Sequence, residues 1–504
     1  MDVAAAAGSG HAGRASTSSA TLASSLLEAA AIRDPSAVAL YDNDGPCTYA
    51  ALSHEAGRFT RWLLDRGIRR GDRIAIDAVP DRRFVSMLHG GLAAGALIVP
   101  ISVELTTPER TYQLINADAA LIVSSRSSSA GLEPVTMSAA EIWDRLPESA
   151  AQARSTVVDP SDAALLIYTS GSTSQPKGVL CRHAQVAYAV SAIGARLQYR
   201  ADDIVFTRLP LSFDYGLYQI FLCADAGAAV AFPPPQADAR LLAEISAVGA
   251  TVVPLVPGLA DMLLALSRRR SGDQTIRLFT NTGERLEPGR IAELRKRFPG
   301  AAVQLMYGLT ECKRVSIGEP DGDLNYPGSV GRPLDGTTVA VVDSSGAKLP
   351  PFTVGELIVT GPHVMAGYWK APVPTQKNFQ EHASGHRSLS TGDWGYLDDD
   401  GQIYLSGRKD DQFKSRGVRT NVLEIEEAAN TIPEVRRAIL LPPRDNAEST
   451  LCVISDLPPE VVLRHLRERL ESAKVPRHCR VFGSLPTSVN GKVDRSELER
   501  QVRS

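Results

Sequence analysis

The segment Leu165-Leu166-Ile167-Tyr168-Thr169-Ser170-Gly171-Ser172-Thr173-Ser174-Gln175-Pro176-Lys177-Gly178-Val179 carries residue types suited to holding a polyphosphate. Its first residues read as the end of a buried strand. The run from Thr169 to Ser174 then bears a hydroxyl at every position except Gly171. Small residues let backbone amides approach an anion, the hydroxyls donate hydrogen bonds, and Lys177 adds a point charge held by the rigid Pro176. The pattern GxxxxGK[ST] cannot be laid over it, because Lys177 precedes the second glycine. A Ser/Gly linker is the plain alternative, but a linker needs neither a buried strand before it nor a Pro-Lys-Gly ending.

Further along, Val303 to Glu311 predicts a buried strand that delivers Tyr307, Gly308, Thr310 and Glu311 to one edge. An aromatic ring, a hydroxyl and a carboxylate there suit adenine stacking, phosphate contact and Mg²⁺ coordination. Asn281-Thr282-Gly283-Glu284 ends another strand, where ligands of such sheets bind. Asp393, in Ser390 to Gly395, is expected at a strand end, accepting bonds from ribose hydroxyls or forming an ordinary Asx turn. Near the end of the chain Lys492 follows Asn490-Gly491, so it rides a loop tip that can enter a site made elsewhere.

Taken together in this order, these motifs resemble those of the adenylate-forming superfamily, the acyl-CoA ligases, luciferases and peptide-synthetase adenylation domains. The resemblance runs from about Leu22 to Leu498. It implies an AMP-forming acid–thiol ligase that uses ATP and Mg²⁺. Lys492, Thr310 and Glu311 are then the catalytic residues, with Glu311 on the metal. Thr169, Ser170, Gly171, Ser172, Thr173, Lys177, Gly283, Glu284, Tyr307, Asp393 and Arg408 bind ATP. The family rotates its small domain between half-reactions, which here implies a hinge at Asp410 and a thiol tunnel lined by Gly417. Two departures stand out: Ser174 occupies a position where the family usually has Gly, and Arg419-Thr420-Asn421-Val422 differs from the usual continuation of the tunnel strand.

The acid is addressed by Phe213-Asp214-Tyr215-Gly216. Members that take fatty or aromatic acids commonly carry a His in this segment, and amino-acid-activating members carry Phe-Asp. A buried carboxylate is costly unless paired, and a substrate ammonium is the natural partner for Asp214. The alternative is that Asp214 caps a helix beginning near Leu217. Tyr215, Gly216, Tyr218 and Thr282 complete the expected pocket. Lys313 and Arg314 would either meet a second substrate carboxylate or form surface salt bridges with Glu319 or Asp321. The combination resembles stand-alone enzymes that adenylate β-amino or aspartate-like acids, with prolyl-activating enzymes as the nearest competitor. No Ser-bearing carrier motif fits between Lys492 and Ser504, so a pantetheine-bearing carrier protein is expected as a separate chain. Free coenzyme A with a non-amino acid is the alternative.

The elements that must position these residues follow from periodicity. Alternating helices and strands from Leu22 to Val123 predict a parallel α/β sheet, Arg126 to Val158 a polar surface connection, and Val339 to Leu405 a small β-rich subdomain. The charged stretch around 408–411 reads as a hinge between an N-terminal core (21–407) and a mobile α+β C-terminal domain (412–504). Residues 1–20, rich in Ala, Gly, Ser and Thr, read as a disordered tail without the apolar core of a signal peptide. The 504 residues carry a net charge of −3, so no broad basic field invites nucleic acid. Six scattered cysteines without metal spacing suit a reducing cytoplasm, and no stretch is long and apolar enough to span a membrane.

Overall fold

The computed structural model describes residues 22–125, 135–149, 157–169, 175–234, 238–268, 275–383, 385–408, 411–415, 418–443, 448–487 and 493–503. The architecture is α/β, with a large N-terminal part, a small β-rich subdomain and a small C-terminal α+β part.

Among these residues two large sheets organise the N-terminal part. In the nine-stranded one the strands run Arg332–Pro333, Ser316–Ile317, Ala302–Tyr307, Leu278–Asn281, Val252–Leu255, Ile204–Phe206, Ala229–Ala231, Val38–Asp42 and Gly45–Thr48 across the sheet. The seven-stranded one runs Gly367–Tyr368, Lys177–Arg182, Ala163–Thr169, Leu97–Ile101, Arg73–Asp77, Leu121–Val123 and Val135–Met137. Both are parallel in the middle, in line with the expected α/β layout, and have antiparallel pairing at an edge. The antiparallel edge matters because Ala163–Thr169 and Lys177–Arg182 pair as a hairpin. The phosphate-loop motif therefore joins strand to strand.

One hydrophobic core is shared by the facing sides of the two sheets and the helices between them, including Tyr49–Asp65, Arg82–Ala93, His183–Leu197 and Asp214–Ala226. Strand alternation explains the division: Ile74 and Ile76 point into this core, while Ala75 points to the opposite side with Val99, Leu114 and Leu166. The stretch expected to be a polar connection contributes an edge strand, Val135–Met137, and a helix, Ala139–Trp143, with Ile142 and Leu146 buried. Those apolar residues are too short a run to show a period in the sequence.

The small β-rich subdomain is built on Thr338–Val342, Gly355–Gly361, Phe379–Glu381, Arg387–Leu397 and Ile403–Arg408. Asp393 lies within the eleven-residue strand Arg387–Leu397 and not at a strand end. Its Ser-Thr-Gly approach is an irregularity within the strand: pairing with Gly355–Gly361 passes from Ser390 directly to Trp394, and Gly392 has a φ of 71°, while Asp393 pairs with Arg408 on the other side. Beyond Asp411, helices Val422–Asn430 and Pro459–Arg467 cover the strands Val435–Leu441, Thr450–Ser455 and His478–Val481, with a hydrophobic cluster of their own.

Candidate active site

The helix Asp214–Ala226 starts where the sequence places a Phe-Asp pair. Phe213 is the N-cap residue, and no side chain caps the helix. Asp214 is thus the first helical residue and not the cap, and the helix begins three residues earlier than expected. Gly216 is demanded by packing: a Cβ there would lie 2.5 Å from the Pro210 carbonyl oxygen and 2.7 Å from that of Leu209. Pressed against this backbone, the helix start buries the Asp214 carboxylate.

What faces that carboxylate comes from the turn after Tyr307. Arg314 Nη1 lies 3.4 Å from Asp214 Oδ2, and Thr310 Oγ1 lies 3.4 Å from Oδ1. Both contacts are long for hydrogen bonds. Arg314 stacks over the Tyr215 ring at 4.8 Å, its Nε is buried without a partner, and Tyr215 is anchored by a 2.7 Å hydroxyl pair with Thr280. The neighbouring Lys313 is fully buried and left-handed, with a φ of 61°. Its Nζ donates to the Thr310 carbonyl at 3.0 Å and lies over the Tyr218 ring at 5.4 Å. The Tyr218 hydroxyl is buried without a partner.

Surface pairing of these two cations with Glu319 or Asp321 is overturned, since both side chains are interior and Asp321 pairs with Arg295. The tight turn responsible is set by Gly308, where a Cβ would stand 2.0 Å from the Lys313 carbonyl oxygen. This buried cluster of two cations, one carboxylate and two tyrosines has the chemistry to pair with an ammonium at Asp214 and with a carboxylate at the cations other than the one that reacts.

The same turn carries Glu311, and the other residues expected to meet ATP lie on neighbouring elements. Glu311 Oε1 accepts a 2.7 Å bond from the Tyr368 hydroxyl. Lys177, opposite Thr169 in the hairpin, sits with Nζ 5.4 Å above the Tyr368 ring. Tyr307 is buried in the subdomain's hydrophobic cluster and donates its hydroxyl to Asp393 at 2.6 Å. Arg408 Nε contacts the other Asp393 oxygen at 3.0 Å. Burial raises the Asp393 carboxyl above its ordinary range, opposed by the Arg408 charge, and burial pushes the Tyr307 phenol far up. Thr282 and Glu284 flank Gly283, which has a φ of 84°. Thr282 Oγ1 and Glu284 Oε2 are buried without partners, and the second Glu284 oxygen takes Arg437 from the C-terminal part. Ser170, Gly171, Ser172, Thr173, Asp410, Gly417 and Lys492 lie outside the described residues.

A model of the family described as AMP-binding enzyme matches residues 27–369. The chain belongs to that family. Tyrocidine synthase 3 of Brevibacillus parabrevis is 28% identical over 94% of this AMP-binding chain, which spans 8% of that protein's length. The structure of VinN with L-aspartate is 38% identical with a TM-score of 0.71, covering 77% of this chain and 98% of VinN. o-Succinylbenzoate CoA synthetase from Bacillus subtilis, solved with ATP and magnesium ion, is 25% identical with a TM-score of 0.82, covering 94% and 99%. The expectation of an adenylate-forming, AMP-forming enzyme using ATP and Mg²⁺ agrees with this membership.

The residues of this AMP-binding enzyme fit such ligands on structural grounds. Thr282 Oγ1 and Glu284 Oε2 are orphaned polar atoms beside a glycine turn, which a nucleotide's polar edge would satisfy. Glu311 offers a hard oxygen donor, and Mg²⁺ is commonly held by one or two carboxylates together with substrate phosphates. Sequence reasoning missed Tyr368 and Arg437. The Gly367-Tyr368 dipeptide has no chemical pattern of its own, and only its pairing with the hairpin brings it to Lys177. No helix among the described residues is long and apolar enough to cross a membrane.

Proposed function

We propose that this chain adenylates an amino acid. A substrate carboxylate oxygen attacks the α-phosphorus of ATP and pyrophosphate leaves. A pantetheine thiol of a carrier protein then attacks the carbonyl of the mixed anhydride, forming the thioester and releasing AMP. The observation that carries this reading is the contact of Thr310 Oγ1 with Asp214 Oδ1. With Thr310 read as the α-phosphate contact and Asp214 as the ammonium partner, this contact supports the reading, because the two substrates must meet between those groups.

In this reading Asp214 holds the ammonium, while Lys313 and Arg314 hold a second carboxylate. Thr310 contacts the α-phosphate and Lys177 the outer phosphates. Bound Mg²⁺ supplies charge neutralisation along the phosphates. Asp393 holds ribose through its hydroxyls. Lys492 neutralises the carboxylate and α-phosphate as they approach, then withdraws as the C-terminal domain turns about Asp410. The buried cation pair and the likeness to a protein solved with L-aspartate support a β-amino or aspartate-like acid over proline. Likeness to a CoA synthetase over most of the chain favours the competing acceptor, coenzyme A.

A panel of free acids in acid-dependent pyrophosphate exchange tests the first step, and parallel transfer to holo-carrier protein and to coenzyme A tests the second. Amino acids with a second carboxylate should give the fastest exchange, and carrier protein the fastest transfer. Preference for a fatty or aryl acid over every amino acid would defeat the amino-acid reading.

A further inference from the structure

The turn that bears Glu311 and the hairpin that bears Lys177 are separate in sequence, and one short strap ties them together. Met365 N donates to the Glu311 carbonyl at 2.8 Å, Ala366 N to the Leu180 carbonyl at 3.0 Å, and Trp369 N to the Gly178 carbonyl at 2.8 Å. Tyr368 pairs with Val179 in register. The strap therefore holds the backbone of Glu311 on one side and the strand of Lys177 on the other.

The Tyr368 side chain repeats this link at the level of functional groups. Its hydroxyl oxygen accepts from Asn378 Nδ2 at 3.3 Å, which leaves its proton for Glu311 Oε1 at 2.7 Å. The ring is steadied edge-on by Phe379 at 5.3 Å, and its backbone N–H is bound by Thr375 Oγ1 at 2.9 Å. The ring lies beneath the ammonium of Lys177. Among the described residues no other side chain donates to the Glu311 carboxylate.

We propose that Tyr368 is a positioning residue that sets the spacing between Lys177 and Glu311, so that the triphosphate and its divalent cation are received as one unit. The phenol orients the carboxylate for the cation, and the ring face directs the ammonium toward the phosphates. This rests on the reading of Lys177 as a phosphate ligand and Glu311 as a metal ligand.

The test uses the full chain and measures binding without turnover: Mn²⁺ by electron paramagnetic resonance, with and without a non-hydrolysable ATP analogue, and the analogue alone by calorimetry. Tyr368→Phe keeps the ring and removes the bond to a charged group. It should weaken Mn²⁺ in the ternary complex by roughly tenfold or more while leaving metal-free analogue affinity unchanged. Tyr368→Leu should also weaken the metal-free analogue by about two- to fivefold, as the cation–π support of Lys177 is lost. Asn378→Ala, which removes the bond that aims the phenol, should move Mn²⁺ affinity the same way by less, and it serves if Tyr368→Phe does not fold. Unchanged Mn²⁺ affinity in Tyr368→Phe, or an equal loss with and without metal, overturns the proposal. A wild-type chain that binds neither probe overturns the reading of the site beneath it.

Discussion

Arg314 and Asp214 face each other across 3.4 Å in the interior, too far apart for a strong ion pair and close enough that neither charge is bare. On the proposed function, a substrate with an ammonium and a second carboxylate would exchange this loose contact for two tighter ones. Asp214→Ala is therefore expected to raise the KM for the amino acid severely. Leaving Arg314 buried without its anion costs about 3–5 kcal/mol, so the variant should also unfold at lower denaturant. Exchange kinetics alongside a urea titration separate the two effects. Wild-type KM would remove Asp214 from substrate recognition.

Arg314→Ala should be harmful in proportion to the substrate's second carboxylate. With an acid lacking that group, kcat/KM should change far less than with a dicarboxylic one, a contrast read directly from paired exchange assays.

On the proposed cycle, in which Lys492 serves only one orientation of the C-terminal domain, Lys492→Ala should abolish pyrophosphate exchange while leaving thiol transfer from a supplied acyl-adenylate largely intact. Equal loss in both half-reactions would defeat the alternating-domain reading.

Gly308→Ala places a methyl group 2.0 Å from the Lys313 carbonyl oxygen, where the obstacle is backbone and cannot swing away. A stability loss of about 1–3 kcal/mol is expected, as for other overpacked interiors. Displacement of Lys313 and Arg314 should accompany it, seen as a raised amino-acid KM even where the fold persists.

Acid should unfold the protein through its buried histidines. Burial lowers His89 to about 3 and His183 and His363 to about 4, against 6.5 for an exposed imidazole. The folded chain keeps them neutral while the unfolded chain takes up protons, so stability present above pH 6.5 is lost as pH falls toward 4. The slope approaches about 1.4 kcal/mol per histidine for each pH unit. Denaturant midpoints across that range check this, and His89→Leu should flatten the curve.

The hairpin strand, the Tyr307–Glu311 strand end and the general α/β layout were legible in the sequence because each combines a buried period with a chemically unusual ending. For Lys313 and Arg314 the sequence left an interior and a surface placement open, because adjacent cations carry no period of their own and only a turn at Gly308 folds them inward. Asp214 was legible as a buried acid, but its meeting with Arg314 and Thr310 depends on contacts across about a hundred residues of chain. Tyr368 had no local pattern to find.

If the proposed cycle turns the C-terminal part away, the Arg437–Glu284 contact gives ionic strength a grip on it. Glu284 belongs to the glycine turn, Arg437 to the C-terminal part, and the neighbouring Arg285–Glu427 pair and the bond from Arg290 to the Arg436 carbonyl join the same two parts. A domain turning away from this seam separates opposite charges, and salt screens the exposed share of that attraction. Dwell time in the docked orientation should therefore shorten as salt rises. An enzyme limited by undocking would then turn over faster in moderate salt, and one limited by the first half-reaction would slow, so the sign of a simple salt titration reports which step sets the pace.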